Sequence, residues 1–586
     1  MKTSAKLAET QKSASADGVE AFGVAYSPGS EGRSRAVPHE SRFLMSIRRV
    51  RFCGLSAALL LLSGCLSPEE ALRKTDAEAE SILAEKQTAL YGESRPFDVR
   101  PPVVRIREEV LDPATGLASR PTALELSLRS SFELAAQNSR DYQDRKERLY
   151  DAALQLIRAR ERFRPSPFFN FGGSAVRDGG DVSLGTDGEL GVTKVLERGG
   201  SFALSVGGNF LRFITSPTSE NAASFIDLSI ILPLLRNGGE EVAFESLRQE
   251  ERNVIYALRE FERFKQTFVV RIESEYLRLL TSAKQVENEE KNYESVAEAR
   301  RRNEALADAQ RLTRIEVDQA RQDELRAENR IISRKNGYAS QLDSFKQVLG
   351  VPVDLEVAVT MQDLLALDAL MARPIEASET NAMKQGLKIR LDLQNVRDQI
   401  ADADRRIKVA ENALLPDLTL GLAARPGSES NKPLKLDFDD GRYAATFDAD
   451  LGLDRDLERV ALRRAHLDLA SARRAEEELE DAVKGDVREA LRRLKEARAS
   501  FEIQKLSVAV AERRRESVIE FRNRGDASTR DLLEAQEALL SAQNALSDAL
   551  VEYRTSYLEL FRDTGALAVR PEGLDYEVSD ALLLGR

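Results

Sequence analysis

The chain has 586 residues, 42% hydrophobic and 31% charged, with a formal net charge of −12. It is too apolar for disorder and too long for one compact soluble core, and its acidity argues against nucleic acid as a partner. Two His, two Cys and no Trp leave no material for a zinc cluster, a Ser–His–Asp triad or a disulfide framework, so the composition points away from catalysis, cofactors and bound metal.

Residues 1–44 show no helical or strand periodicity and read as a leader outside the mature protein. Residues 45–65, MSIRRVRFCGLSAALLLLSGC, begin with Arg48, Arg49 and Arg51 and continue as an apolar run from Phe52 to Leu62. About eleven apolar residues suit a signal peptide and are too few to span a bilayer. The run ends in Leu62-Ser63-Gly64-Cys65, the order of a bacterial lipobox. Residues 45–64 are therefore the expected lipoprotein signal, Cys65 the expected lipidation site and Met45 the expected initiator; an ordinary signal with a chance Cys is the alternative. Leu66 follows, where an Asp would hold an enterobacterial lipoprotein at the inner membrane, so the expected destination is the outer membrane. Cleavage before Cys65 removes His39, Cys53, nine basic and five acidic residues, which leaves 77 basic and 93 acidic groups and a charge of −16.

No later run approaches the roughly 20 apolar residues of a transmembrane helix, so any membrane crossing must be made by strands. Residues 65–121 read as an extension in which Pro96, Pro101, Pro102, Pro113 and Pro121 block long helices. Thr122 to Glu125 suggests a capping box for a helix reaching Arg164 and stopping at Pro165. Residues 168–234 alternate apolar and polar among Gly-rich turns, the pattern of hairpins. Phe168, Phe169, Phe202, Phe210, Phe213, Tyr443 and Phe447 are candidates for a lipid-facing aromatic surface or, equally, for packing inside or between the hairpins. From Glu240 a helical pattern resumes, with Leu247, Val254, Phe261 and Phe268 seven apart. Leu258, Ile272, Leu279, Val286 and Tyr293 form a second phase, with Lys265 as its exception. Heptads this long imply supercoiled helices. A return helix from Ile315 ends at Leu349, before Gly350 and Pro352.

Residues 353–379 read as a connector, and the order then recurs. A helix from Thr380 stops at Pro416, strands are expected at 418–422 and 443–451 around a loop at 425–441, and a long helix from Leu457 to Arg522 is followed by a last one from Thr529 to Arg562. Residues 122–352 and 380–568 are thus two copies of one unit, with strand blocks at 168–234 and 418–451 and a tail at 569–586. Pro165 and Pro416 are 251 positions apart; Thr313-Arg-Ile-Glu-Val-Asp-Gln-Ala320 and Ser528-Thr-Arg-Asp-Leu-Leu-Glu-Ala535 are 215 apart. The first copy therefore carries about 36 extra residues, most simply an additional hairpin.

Leu124 to Asn138, Ile231-Leu-Pro-Leu-Leu-Arg-Asn-Gly-Gly239, Leu349-Gly-Val-Pro352 and Arg524-Gly-Asp-Ala-Ser-Thr-Arg-Asp-Leu-Leu533, within a duplicated frame behind a lipobox, resemble the TolC family of outer-membrane efflux proteins over residues 122–568. The resemblance implies a mainly helical fold with membrane β-structure: a trimeric α-helical barrel across the periplasm, joined to a transmembrane β-barrel to which each subunit gives about four strands. The extra hairpin departs from that count and could belong to the barrel wall or to an extracellular extension. The implied function is a passive conduit for small molecules, driven by an inner-membrane transporter of the RND, ABC or MFS type through a periplasmic adaptor. A periplasmic coiled-coil scaffold without a pore is the rival reading; it explains heptads and lipobox but not two strand blocks at matching places.

In the family the helix–helix turns meet the adaptor. Carried over, these are Ala309, Gln310, Arg311, Leu312 and Thr313 in the first copy and Arg524, Gly525, Asp526, Ala527 and Ser528 in the second. Gln310 stands where the second copy has Gly525. Acidic residues past the turns can ring the closed pore, here Asp531, Glu534 and Glu316, although a charged helix face accounts for the same residues. Tyr and Arg partners that some members carry around the turn correspond here to Arg522 and Ala527, so that lock differs in form.

Overall fold

The computed structural model describes residues 67–94, 97–100, 124–178, 181–213, 221–370, 378–429, 431–570 and 573–578. Cys65 and the expected signal lie outside them. Helix α1 (Pro68–Tyr91), strand β1 (Leu124–Leu126), α2 (Leu128–Asn138) and α3 (Arg140–Glu161) precede β2 (Ser166–Asp178), β3 (Asp181–Val195), β4 (Ser201–Phe213) and β5 (Asn221–Pro233). A single turn, α4 (Glu240–Ala243), leads into α5 (Glu245–Asp308) and its return helix α6 (Arg314–Leu349). After β6 (Val357–Val359) and α7 (Gln362–Leu370) come α8 (Glu379–Ile389), α9 (Leu391–Ala413), β7 (Asp417–Ser428) and β8 (Leu436–Asp450). The chain continues with α10 (Asp456–Arg524), α11 (Thr529–Asp563) and the small hairpin β9 (Leu567–Val569) and β10 (Tyr576–Val578).

The two halves repeat closely. Helices α2 and α3, with the break between them at Ser139, recur 251 positions later as α8 and α9 with their break at Arg390. Helices α6 and α11 begin 215 positions apart. The first copy contributes four strands and the second two, all in one antiparallel sheet of order β2-β3-β4-β5-β7-β8, joined across the copies by β5 and β7.

Helix α5 has 64 residues and α10 has 69, lengths of about 95 and 105 Å at 1.5 Å per residue. Nearer the sheet the helices lie side by side as α3, α5, α9, α10; toward the turns the order is α6, α5, α11, α10. The main core sits where these arrangements meet. Phe268, Ile272, Tyr276 and Leu280 of α5 pack there with Phe345 and Leu349 of α6, Leu494 and Phe501 of α10, and Leu558 and Phe561 of α11. Each such side chain contributes roughly 1.5–3 kcal/mol on burial.

Several expectations need correction. Residues 68–91 form one long helix: the prolines that discouraged it all lie beyond Tyr91, and Pro68 occupies the first helical position, where its missing N–H costs little. From Arg73 onward this helix packs Ala79, Ile82 and Leu83 against Leu149, Ala153, Leu156, Val254 and Leu258. The capping box falls at Ser127 and Ser130, because Leu124 to Leu126 pair as a strand with Val357 to Val359. The expected loop at 425–441 shrinks to the seven positions between β7 and β8, with pairing reaching Ser428 and Leu436. The heptad exception Lys265 is buried, with its Nζ 2.9 Å from Glu262 and its cation over the Phe261 ring.

The breaks at Ser139 and Arg390 carry no Pro or Gly. Each is set by the C-terminus of a return helix. Gly350 (φ +79°) ends α6 against the first break, where a Cβ would stand 2.0 Å from the Asn138 carbonyl oxygen. Gly565 (φ +74°) does the same against the second, 3.1 Å from Ile389 Cγ2. Gly350→Ala therefore combines positive-φ strain with a backbone clash and is expected to destabilise the protein by about 2 kcal/mol or more. Gly337→Ala, in the interior of α6 with nothing within 4 Å, is expected to stabilise by about 1 kcal/mol. Thermal unfolding followed by far-ultraviolet circular dichroism should move the two midpoints in opposite directions.

Candidate functional site

The sheet has two unlike faces. Directly paired residues in antiparallel strands share a face, so the register can be followed across all six strands. One face runs from Phe169 and Phe171 through Leu190 and Leu184 to Leu204, Val206 and Phe210, then Ile226, Leu228 and Ile230, Leu420 and Leu422, and finally Phe447 and Tyr443. Many of these large side chains are exposed, Phe171 at 71% and Phe447 at 65%. The opposite face carries Asn170, Ser174, Asp187, Glu189, Ser205, Asn209, Asp227, Ser229, Thr419, Thr446 and Asp448. Phe168 and Phe213 fall on this second face, unlike the other candidate aromatics. Phe168 lies over Gly191, and Phe225 covers Gly207 beneath the Arg425 guanidinium, 4.3 Å from its ring. Strands of 13 residues extend about 43 Å at 3.3 Å per residue, or about 30 Å of height when tilted near 45°. That height matches the hydrocarbon thickness of a membrane.

At the far ends of the long helices, the two turns are built alike. In the first, Gln310 adopts φ +58° and Arg311 N–H donates to the Leu306 carbonyl at 2.8 Å. In the second, Gly525 adopts φ +89° and Asp526 N–H donates to the Phe521 carbonyl at 2.9 Å. Gln310 thus takes the conformation of its glycine counterpart. Thr313 and Ser528 cap the following helices, with Glu316 and Asp531 reaching back to complete capping boxes. The Ser528 hydroxyl and amide donate to Asp531 Oδ2 at 2.7 and 2.9 Å and hold that carboxyl below its usual range. Glu534 is 2.8 Å from Arg530. Glu316 and Glu534 line one cleft between α6 and α11, together with Asp323, Arg326, Arg330 and Glu537; Asp531 is not among its lining residues.

Between core and turns, the buried side of α5 changes character. Val286 and Tyr293, the expected heptad positions, are only half-buried; Gln285, Asn288, Glu289, Asn292 and Asn303 are buried instead, among Val296, Ala297 and Ala299. The seam has shifted by one residue because polar partners face it. Gln285 donates to Asp548 and Asn288 to Asn544, both at 2.9 Å, while Arg334 donates to Gln285 at 2.9 Å and Arg330 to Glu289 at 3.3 Å. Nearest the turns, Asn303 Oδ1 accepts from Arg522 Nη2 at 3.1 Å and from Thr529 Oγ1 at 3.2 Å. Burial, with Arg302 nearby, lowers the Arg522 pKa. The Asn303 Nδ2 has no partner among the described residues. Sequence reading missed Asn303, although Glu289, Val296 and Asn303 recur at sevens and mark the shifted seam.

A sheet apolar on one face and polar on the other, set on side-by-side helices whose far halves mix polar and apolar contacts, is the pattern of an outer membrane channel. Residues 382–566 match the family model described as outer membrane efflux protein. The outer membrane efflux protein BepC of Brucella suis biovar 1 is 25% identical over 337 residues, spanning 56% of this chain and 67% of that protein. The same fold occurs in the Campylobacter jejuni CmeC outer membrane channel, with a TM-score of 0.56 and 17% identity over 75% of this chain and 85% of that one. It occurs also in VceC of Vibrio cholerae, with a TM-score of 0.54 and 15% identity over 75% and 96% of the two chains. The second repeat thus matches the outer membrane efflux protein family, and the fold of the chain is shared with outer membrane channels.

Asn303→Ala removes the shared acceptor of Arg522 and Thr529. A lost bond of about 1–2 kcal/mol predicts roughly tenfold faster amide hydrogen exchange across residues 522–531, with the first turn, residues 306–316, unchanged.

Proposed function

We propose that the protein is a lipid-anchored, trimeric conduit that lets small molecules cross the outer membrane and periplasm passively. Cys65 is its lipidation site. An inner-membrane transporter of the RND, ABC or MFS type supplies the energy through a periplasmic adaptor, which meets the turns Ala309–Thr313 and Arg524–Ser528. The observation that carries this reading is the sheet: an uncovered apolar face opposite a polar face is what a barrel wall needs between lipid and water. The helices support the trimer. Ile315, Leu325 and Ile332 on α6 and Ile503, Leu506 and Val510 on α10 are exposed apolar residues on the two outermost helices of the array, and a neighbouring copy would cover them.

The polar seam suits opening at the tip. Separating apolar helices exposes surface to water, whereas separated polar groups exchange their bonds for bonds to water at a net cost of about 0.5–1.5 kcal/mol each. The unpartnered Asn303 amide makes the closed joint cheaper still to leave. Glu316, Asp531 and Glu534 form the acidic constriction. Glu316 and Asp531 occupy the same capping position in the two copies, so a trimer carries six such carboxylates at one level and draws cations toward the pore.

Planar-bilayer recording tests both points. Asn288→Leu combined with Asn544→Leu replaces a polar pair with an apolar one that opening must expose; the open probability should fall about tenfold, in line with about 1.4 kcal/mol of added cost. Trimers that conduct no ions would contradict the channel reading. Asp531→Asn with Glu534→Gln keeps a capping acceptor while removing charge. It should lower the cation-to-anion permeability ratio and relieve block by trivalent cations; unchanged selectivity would remove these residues from the constriction.

A further inference from the structure

We infer that the extra hairpin belongs to the barrel wall and that three copies close an eighteen-stranded barrel, with β2 of each copy paired to β8 of the next; this rests on the trimeric channel reading above. Twelve strands would follow from the usual four per subunit.

Three observations put the hairpin in the wall. First, pairing is continuous. The β2–β3 register runs from Ser166↔Thr193 to Asp178↔Asp181, and the β3–β4 register from Val195↔Ser201 to Ser183↔Phe213. An extracellular extension would leave the sheet, whereas here all six strands share one ladder. Second, the turn between β3 and β4 lies at the helix end of the sheet. Gly239 N–H, beside the start of α4, donates to the Arg198 carbonyl at 3.0 Å, and Leu196 N–H donates to Gly200 at 3.1 Å. The hairpin is thus anchored at the same level as β5. Third, both faces keep their character through β2 and β3. Phe169, Phe171, Leu184 and Leu190 are exposed on the apolar side, and Asn170, Ser174, Asp187 and Glu189 lie on the polar side. A segment standing in water outside the membrane would have no use for that apolar surface.

The edges decide what the sheet pairs with. Among the described residues β2 and β8 each pair with one strand only, yet the apolar face places both edges in lipid, where unpaired amides and carbonyls are too costly to persist. Six is an even number, so β2 and β8 run in opposite directions. A head-to-tail ring of copies therefore closes with every pair antiparallel. Their lengths match, 13 residues against 15. Barrel width grows about linearly with strand number, so eighteen strands give about 1.5 times the width of twelve, in the range where porins keep a water-filled lumen. The narrow point then lies at the helical tip.

Cysteine pairs in the full-length, otherwise unchanged protein test this. Native mass determination first establishes the number of copies. Single cysteines in β2 (Phe169→Cys or Phe171→Cys) are then combined with cysteines in β8 (Ala445→Cys or Phe447→Cys), which stand at matching distances from the helix ends of the two strands, and oxidised in membranes. A parallel set combines β4 (Leu204→Cys or Val206→Cys) with the same β8 positions. The inference predicts covalent trimers from β2–β8 combinations and none from β4–β8. Covalent trimers from β4–β8, or no cross-link at all within assembled trimers, would overturn the eighteen-stranded wall. A wild-type protein that is monomeric in detergent would instead overturn the trimeric reading beneath it.

Discussion

Backbone amides and carbonyls at a sheet edge cannot be left unpaired in hydrocarbon, and most of the proposed channel architecture follows from that requirement. Among its described residues a single chain builds a sheet with an apolar side, a polar side and two unpaired edges, one at β2 and one at β8. In the proposed channel, closure comes from other copies. Once copies stand side by side to pair these edges, their helical arrays also stand side by side. The exposed apolar residues on α6 and α10 then have neighbours to meet. Sheet closure and helix packing thus call for the same ring, through different interactions in different surroundings.

The helical part divides labour along its length. At mid-height, where the short helices of each repeat hand over to the return helices, the core is dense and apolar, and Gly350 and Gly565 lock the joints. Beyond Thr281 amides, carboxylates and guanidinium groups share the seam with smaller apolar contacts such as Val296, Ala299, Leu532 and Leu539. Apolar contacts are lost wholesale when helices part, whereas polar contacts can be traded for water. In the proposed channel the protein is firm at the level that sets its diameter and more yielding at the level where a passage opens. Asn303, Arg522 and Thr529 sit at the transition between yielding seam and turn.

Much of this was legible in the sequence, because the signals are local and periodic. Alternation from Phe168 to Leu232 marked strands, heptads from Leu247 marked long helices, and the matching Thr313-x-x-Glu316 and Ser528-x-x-Asp531 marked equivalent helix starts. Other features were not legible, because their causes lie far away in the chain. No residue near Ser139 signals a helix break; the break is imposed by Gly350, over 200 positions later. Helix α1 was hidden by prolines that follow it. The shift of the seam from Val286 and Tyr293 to Gln285 and Asn292 depends on Asp548, Arg334 and Asn544, which a heptad count of α5 alone cannot see. The acidic residues past the turns were found by position, but their capping bonds emerge only with the backbone in place.

The most direct test of the account is an image of the full-length protein in lipid nanodiscs, with strands counted around the symmetry axis. Eighteen strands in three copies, with β2 against β8 at each junction, is the predicted result. Twelve strands with a hairpin outside the wall, or a sheet that remains open, would contradict it.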